Sequence, residues 1–426
     1  MHLRHVLTLK ISRPMVSFSA KKNKLIIIII IIIIIIIIII IIIKKQSRKH
    51  QITVTEKFPD MNGLSNLGRM LFLDESPQIP TFRTTPYIIL IWKHGPSLER
   101  RHIYHFTKKR FDPFESCSVA NCKITYDDQN ISSADLIVFH LHKTGSVREL
   151  PHEKRLPTQI WTFLTDESPY NTFIYRKNNT IASYNGIFNW SMSYRMLSDI
   201  PVPYGRTILK NSTINNWDFE TWNKSKFQTV LVTVVASNCG GQNARWNYVR
   251  ELRKHIQVDF YGGCGTLKCA GHYGLDCKNT TNYKFYLAFE NSNCDEYITE
   301  KTFWSGYRKN AIPIVMGGSK ESYRKVLPPN SYIHVEDFST PRDLADYIKY
   351  LNSSSKELQS YFKWKKYFSV LNEHGYFQSM SVHYCRICEA LHYNSRERKI
   401  YTKLEQFLSR DEHCHARWLN ASSGKG

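Results

Sequence analysis

The chain has 426 residues and a formal net charge of +22, from 58 Lys and Arg against 36 Asp and Glu, with ten Cys and 13% aromatic residues. That length allows two or three domains, and the composition excludes collagen-like, mucin-like and wholly disordered classes. The excess of base is compatible with a nucleic acid, an anionic membrane face or a phosphorylated substrate. However, ten of the Lys and Arg, and no acidic residue, fall within the first 50 positions, so much of the basicity belongs to a terminal segment.

Ile26–Ile43 is a run of eighteen isoleucines, preceded by Leu25 and flanked by Lys21, Lys22 and Lys24 on one side and Lys44, Lys45, Arg48 and Lys49 on the other. As a helix it spans roughly 28 Å, close to a bilayer's hydrocarbon thickness of about 30 Å. No small-residue cleavage site follows it, so an uncleaved signal-anchor fits better than a signal peptide. The flanking charges lean weakly toward a cytoplasmic N-terminus. The expected organisation is a cytoplasmic tail over 1–24, a transmembrane helix over 25–43 and a stem over 44–83, whose polar residues include Pro59, Gly63, Gly68, Pro77 and Pro80. A repeat expansion or mistranslated repeat is the competing reading of the isoleucine run, which outside lipid is also a β-aggregation hazard.

All ten cysteines (117, 122, 239, 264, 269, 277, 294, 385, 388 and 414) lie beyond that run. An even number fits disulfides in an oxidising lumen. The glycosylation pattern Asn-x-Ser/Thr occurs at Asn130, Asn178, Asn189, Asn211, Asn223, Asn279, Asn352 and Asn420, which points the same way. Together these signals argue against a nucleic-acid binder. Cys385-Arg-Ile-Cys388 alone could be half a zinc site or a redox pair, but no second ligand pair at suitable spacing accompanies it, and structural disulfides are the default.

Short apolar runs rich in β-branched residues follow, as buried strands require: Tyr87–Trp92, Ala134–Phe139 and Gln159–Leu164. A second set begins at Thr229–Ala236. It continues through a helical stretch near Asn243–His255, strands at Val258–Tyr261 and Lys284–Phe289, a helix from about Asp295 to Lys309, and a strand at Ala311–Met316. Alternating strands and helices predict parallel sheets covered on both faces. The expected fold is α/β with two Rossmann-like domains facing a cleft, over 84–222 and 223–375, and a C-terminal tail over 376–426 that carries the CxxC. No GxGxxG fingerprint or Walker loop is present, and Gly262-Gly-Cys-Gly265 reads as a turn. No Asp-x-Asp triplet occurs, which counts against a diphosphate held through a carboxylate-bound metal.

The segment Lys284–Lys301 runs from a strand through a polar loop toward a helix, the place where open α/β sheets bind anionic ligands. On that helix Tyr297, Glu300 and Lys301 stand at i, i+3 and i+4, one face that offers an aromatic platform, a carboxylate for a ribose diol and a cation for a phosphate.

Phe289-Glu-Asn-Ser292, Tyr297-Ile-Thr-Glu-Lys301 and Ala311-Ile-Pro-Ile-Val-Met-Gly317 closely resemble the signature of the α1,3-fucosyltransferases. Further matches are Glu167-Ser-Pro169, Phe188–Arg195, Ser198–Gly205, Val235-Ala-Ser-Asn238 with Ala244-Arg245, and Ser331–Val335. The resemblance covers roughly residues 85–395. It implies a GT-B architecture, with an acceptor domain first and a GDP-fucose domain second, and an inverting transfer of fucose to a GlcNAc hydroxyl with no essential metal. By motif, Glu167 would be the general base, with the neighbouring Asp166 as rival. Arg245 and Lys301 would contact the diphosphate and Glu300 the ribose, while Asn291, Tyr297, Tyr194, Val235 and Ser237 would line the donor pocket. The family also implies that Cys117 and Cys122 bond Cys385 and Cys388, with the pairing left open. Val235–Cys239 with Asn243-Ala-Arg245, Glu290–Cys294 and Tyr384–Cys388 with Leu391-His392 look more like the invertebrate and plant enzymes that fucosylate the innermost GlcNAc of N-glycans; an antennal LacNAc or LacdiNAc acceptor is the alternative. A Golgi membrane location, single-pass with a lumenal catalytic body, completes the expectation.

Overall fold

The computed structural model describes residues 63–73, 75, 83–173, 179–211, 217–269, 271, 274–397 and 399–415. The isoleucine run, its flanks and the sequons Asn178 and Asn420 lie outside the described residues. Among those described, no helix is long and apolar enough to cross a membrane.

The first half is a six-stranded sheet in the order β2-β1-β3-β4-β5-β6. Its strands are β1 (Tyr87–Ile91), β2 (Cys122–Thr125), β3 (Leu136–His140), β4 (Ile160–Thr165), β5 (Trp190–Ser193) and β6 (Ile200–Pro201), and every pairing is parallel. Both faces are buried, as the unbroken apolar runs require. Ile89, Ile91, Val138 and Met192 pack on one face and Leu90, Ile137, Phe139 and Phe163 on the other, each such side chain contributing about 1.5–3 kcal/mol.

After β7 (Gly205–Leu209), the second half forms a parallel five-stranded sheet in the order β12-β11-β10-β8-β9. These strands are β8 (Val232–Val235), β9 (Val258–Tyr261), β10 (Phe285–Phe289), β11 (Ile312–Met316) and β12 (Ile333–His334). The helices Arg245–Leu252 and Pro341–Ser353 cover one face. The latter begins at a capping box in which Thr340 and Asp343 bond each other's backbone N–H. The other face carries an aromatic cluster that joins Tyr286 and Phe303 to Tyr194 and Tyr204 of the first half. β13 (Phe368–Asn372) returns antiparallel to β7. Beyond it, the helix His383–Tyr393 lays Tyr384, Ile387, Cys388 and Leu391 on the first sheet, so the C-terminal segment completes the N-terminal core.

One sequence expectation is corrected here, and one is met. The helix expected over Asp295–Lys309 begins only at Lys301, with wide π-type turns through Arg308 and Glu300 as its cap. Residues before it are claimed by other bonds. Glu296 sits at a left-handed φ of 60°, the Asp295 carboxylate accepts the Ser319 and Ser322 hydroxyls, and Cys294 is tied to Cys414. Tyr297, Glu300 and Lys301 therefore do not share a helix face. The glycine-rich stretch after β9 is a turn, as read. Gly262 adopts φ +93°, and a Cβ there would lie 2.5 Å from the Ala236 carbonyl oxygen, a conformation and an approach that glycine alone tolerates.

All ten cysteines are paired, as Cys117–Cys385, Cys122–Cys388, Cys239–Cys264, Cys269–Cys277 and Cys294–Cys414. The first two fasten the helix His383–Tyr393 to the first half and resolve the pairing the sequence left open.

Candidate active site

Parallel strands release their chains at one edge, and the expected site residues cluster there. Glu167 follows β4 by two residues and Tyr194 follows β5; Val235 ends β8 with Ser237 just beyond; Asn291 lies two residues past β10. The two sheets meet at these ends. Tyr297 donates its phenolic hydrogen to Oε2 of Glu167 at 3.1 Å, and the Ser292 hydroxyl bonds that of Ser168 at 2.6 Å. Tyr194 packs edge-on against Tyr297 with centroids 5.1 Å apart. Glu167 is half-buried whereas Tyr297 is buried, as suits a carboxylate that must meet a partner from solvent.

The loop after β10 also sets the cation. Lys301 Nζ lies 3.1 Å from Oε2 of Glu290, 3.2 Å from Oε1 of Glu300 and 2.9 Å from the Thr299 hydroxyl. Burial alone would lower its pKa, but the two carboxylates overcome that and raise it above the ordinary lysine value. Glu290 is fully buried and accepts the N–H of Thr299 at 2.8 Å besides; burial pushes its own pKa up, against Lys301. The ammonium is thus charged at neutral pH and held in place by three oxygen partners.

Arg245 begins the helix after β8 and is buried. Its guanidinium donates to the carbonyls of Gly240 (3.2 and 3.1 Å), Asn238 (3.0 Å) and Phe289 (2.9 Å), so here it braces the loop after β8 against the end of β10. These bonds use four of its five N–H groups, so for it to meet a diphosphate through more than the remaining Nη1–H, phosphate oxygens must replace some of these carbonyls. Asn291 accepts the Ser292 hydroxyl at 3.0 Å, and its carbonyl takes the Gln242 N–H at 2.6 Å, while the Val235 N–H reaches the Tyr286 hydroxyl at 3.4 Å. Ser237 is exposed.

Asp166 is buried and cannot serve as the base. Arg101 Nη1 stands 2.8 Å from its Oδ2, and Nε2 of both His374 and His383 stands 3.2 Å from its Oδ1. Burial opposes its charge, yet its pKa falls well below the usual aspartate value. Burial also drives His374 down to about 3, leaving it neutral near pH 7, so the charge that keeps Asp166 ionised is that of Arg101. Asp166, His374 and His383 hold potential ligand atoms within 4.8 Å of one another. Arg101 already neutralises the single carboxylate, so a divalent ion here would leave two uncompensated positive charges in the interior, a prohibitive cost. Cys122, Cys388 and His392 also approach one another, but both thiols are spent in a disulfide.

Sequence reasoning missed Glu290 as the partner of Lys301, Tyr204 and Tyr376 near Glu167, and the whole Arg101–Asp166–His374–His383 cluster. Glu290 was within reach, since it stands in the quoted Phe-Glu-Asn-Ser string; the cluster joins residues up to 282 positions apart and left no local signal.

Two parallel sheets thus meet at their carboxyl ends, bringing the half-buried Glu167 of the first against the loop that fixes the Lys301 ammonium in the second. The family model described as fucosyltransferase, N-terminal, matches residues 84–205, and that of glycosyltransferase family 10 (fucosyltransferase), C-terminal, matches 223–407. Glycoprotein 3-alpha-L-fucosyltransferase A of Drosophila melanogaster is 34% identical over 325 residues, 75% of this chain and 61% of that protein. A 3-galactosyl-N-acetylglucosaminide 4-alpha-L-fucosyltransferase of Bos taurus is 35% identical over 65% of this chain and 72% of its own, and 4-galactosyl-N-acetylglucosaminide 3-alpha-L-fucosyltransferase 9 of Mus musculus is 33% identical over 72% and 78%. The chain therefore belongs to glycosyltransferase family 10, the α1,3-fucosyltransferases. The match spans about three fifths of the Drosophila protein's length. A crystal structure of alpha1,3-fucosyltransferase with GDP-fucose aligns over 79% of this chain and 97% of its own at 16% identity, with a TM-score of 0.44, a likeness too weak to add to the family match.

Proposed function

We propose that the protein transfers L-fucose from GDP-fucose, with inversion, to the 3-hydroxyl of a GlcNAc in the N-glycans of glycoproteins, the innermost core GlcNAc being the acceptor. The observation that carries this reading is the Tyr297–Glu167 bond, which places a half-exposed carboxylate from the first half against the loop that fixes Lys301 in the second. The acceptor hydroxyl attacks the anomeric carbon of fucose from the face opposite GDP. As that C–O bond forms, Glu167 takes the hydroxyl proton; the bond from the anomeric carbon to the phosphate oxygen breaks, and its electron pair leaves with GDP. The growing charge on the diphosphate meets Lys301, and Arg245 once its carbonyl partners are exchanged. Glu300 takes the ribose diol, and Asn291, Tyr194, Val235 and Ser237 line the donor pocket. This chemistry calls for no divalent metal.

The glycoprotein acceptor is supported by the name of the Drosophila relative. An antennal acceptor is the second reading, favoured by the names of the Bos and Mus relatives. The secretory setting rests on five disulfides and the isoleucine run, and we place the protein in the Golgi membrane with its catalytic body in the lumen. The test is to incubate a secreted form beginning near residue 60 with GDP-fucose and either a core N-glycan or a LacNAc glycan, reading the linkage by mass spectrometry. Fucose on the innermost GlcNAc supports the first reading; fucose only on the antenna overturns it in favour of the second.

A further inference from the structure

We propose that Asp166 is a positioning residue for fucosyl transfer: locked by Arg101, His374 and His383, it fixes the backbone that presents Glu167 to the acceptor hydroxyl. The inference rests on the reading of Glu167 as base.

Asp166 and Glu167 are neighbours whose carboxylates meet different groups, the buried Arg101, His374 and His383 for Asp166 and the Tyr297 hydroxyl for Glu167. The Asp166 carboxylate is held by three separate elements. Arg101 belongs to the helix Gly95–His102, His374 follows β13, and His383 opens the C-terminal helix. Arg101 also donates Nε–H to the His374 carbonyl at 3.1 Å and lies 4.4 Å from the centre of the Tyr376 ring. The Asp166 carbonyl accepts the Tyr204 hydroxyl at 2.8 Å, and the Tyr204 ring stacks on His374 at 3.8 Å. Both carboxylate oxygens and the carbonyl oxygen of Asp166 are therefore engaged. The next residues are held too: the Thr165 hydroxyl bonds the Glu167 carbonyl at 3.3 Å, and Ser168 bonds Ser292.

A buried ion pair of this quality is weak evidence of added stability, because desolvating both charges offsets their attraction. What it does supply is geometry. A general base must come within hydrogen-bond reach of its proton, and a displacement near 1 Å can cost a hundredfold in rate. An ion pair anchoring the residue before the base, tied to elements from both ends of the chain, meets that need without touching substrate.

Removing one charge would strand the other, so the test is the double variant Arg101→Gln/Asp166→Asn, which removes both and keeps polar side chains. The expected result is a folded protein with GDP-fucose KM within about twofold of the parent and kcat lower by about tenfold or more. Unchanged kcat overturns the proposal, since a merely structural pair would leave turnover intact once folding is retained. Should the double variant fail to fold, Tyr204→Phe carries the same test, with an expected drop in kcat of about threefold and unchanged kcat as the overturning result. The double variant is also built on Glu167→Gln. Action through Glu167 predicts no further loss there, and a further tenfold loss overturns it. Full transfer by Glu167→Gln alone instead sinks the base assignment, a separate outcome.

Discussion

Tyr297 and Glu167, 130 positions apart, meet through a single 3.1 Å hydrogen bond in which the buried phenol donates to the half-buried carboxylate. The bond crosses from the second sheet's loop to the end of the first sheet's fourth strand, so it reports directly on the closure of the two halves. Tyr297→Phe keeps the ring against Tyr194 and deletes only the donor. A drop in kcat of about tenfold is expected, from loss of a hydrogen bond to a charged group, with little change in the thermal midpoint. Wild-type turnover would show that Glu167 is held by other means.

Glu167→Gln should retain GDP affinity by calorimetric titration and lose transfer by about a hundredfold or more, as removal of a general base requires. Retained transfer would sink Glu167 as base.

Lys301→Ala should act twice. It withdraws the phosphate's fixed cation, weakening GDP-fucose binding by about tenfold, and it leaves Glu290 buried without its counter-charge, costing about 3 kcal/mol of stability. The pair Lys301→Met/Glu290→Gln separates the effects: stability returns and donor affinity does not. If donor affinity returned with stability, the phosphate role of Lys301 would be lost.

Burial pushes the His140 and His374 imidazoles down to about 3, against about 6.5 in an unfolded chain. Between those values the unfolded state binds more protons than the folded one, so stability is fully present above pH 6.5 and falls as the solution is acidified. The slope is about 1.4 kcal/mol per pH unit for each imidazole, and Asp166, with its depressed pKa, adds loss of the same sign at the acid end. Thermal unfolding measured from pH 7.5 to pH 4 should show a falling midpoint; a flat profile would mean that these histidines are not buried as described.

The sequons differ in what their asparagines already do. Asn189 is buried, donates to the Lys399 carbonyl at 2.9 Å and accepts from the Trp161 N–H and Arg155, both at 2.9 Å. Asn352 accepts from the buried Lys284 ammonium at 2.7 Å. Asn130 and Asn279 are exposed. Glycopeptide mapping of the secreted protein should find glycans at Asn130 and Asn279 and none at Asn189. Asn189→Gln should destabilise without altering mass beyond the substitution.

The strands were legible because parallel strands buried on both faces read as unbroken apolar runs: Val258–Tyr261 matches its expected limits, and β1, β3, β4, β10 and β11 match within two residues. β2, β5, β6, β7, β12 and β13 were not, since they are short or carry polar residues such as Ser191 and Ser193, whose hydroxyls bond Asp199 and Ser198. The site residues were legible through their motif, but their geometry was not. The helix expected to align Tyr297 with Lys301 gives way to a turn that sends Tyr297 to Glu167, and this depends on Glu290, Ser319 and Cys414 claiming the intervening groups. The aspartate that rivalled Glu167 could be set aside only once Arg101, His374 and His383 were seen around it.

The disulfides Cys117–Cys385 and Cys122–Cys388 enclose sequence separations of 268 and 266 residues, and so impose an order on the making of the protein. At about 5–20 residues per second of synthesis, the early cysteines wait roughly 15–50 s for their partners, while five other cysteines emerge in between. The first sheet cannot gain its covering helix until almost the whole chain has been delivered. A chain stalled or cut before residue 383 would carry an uncovered apolar sheet face and three unpaired thiols, those of Cys117, Cys122 and Cys294.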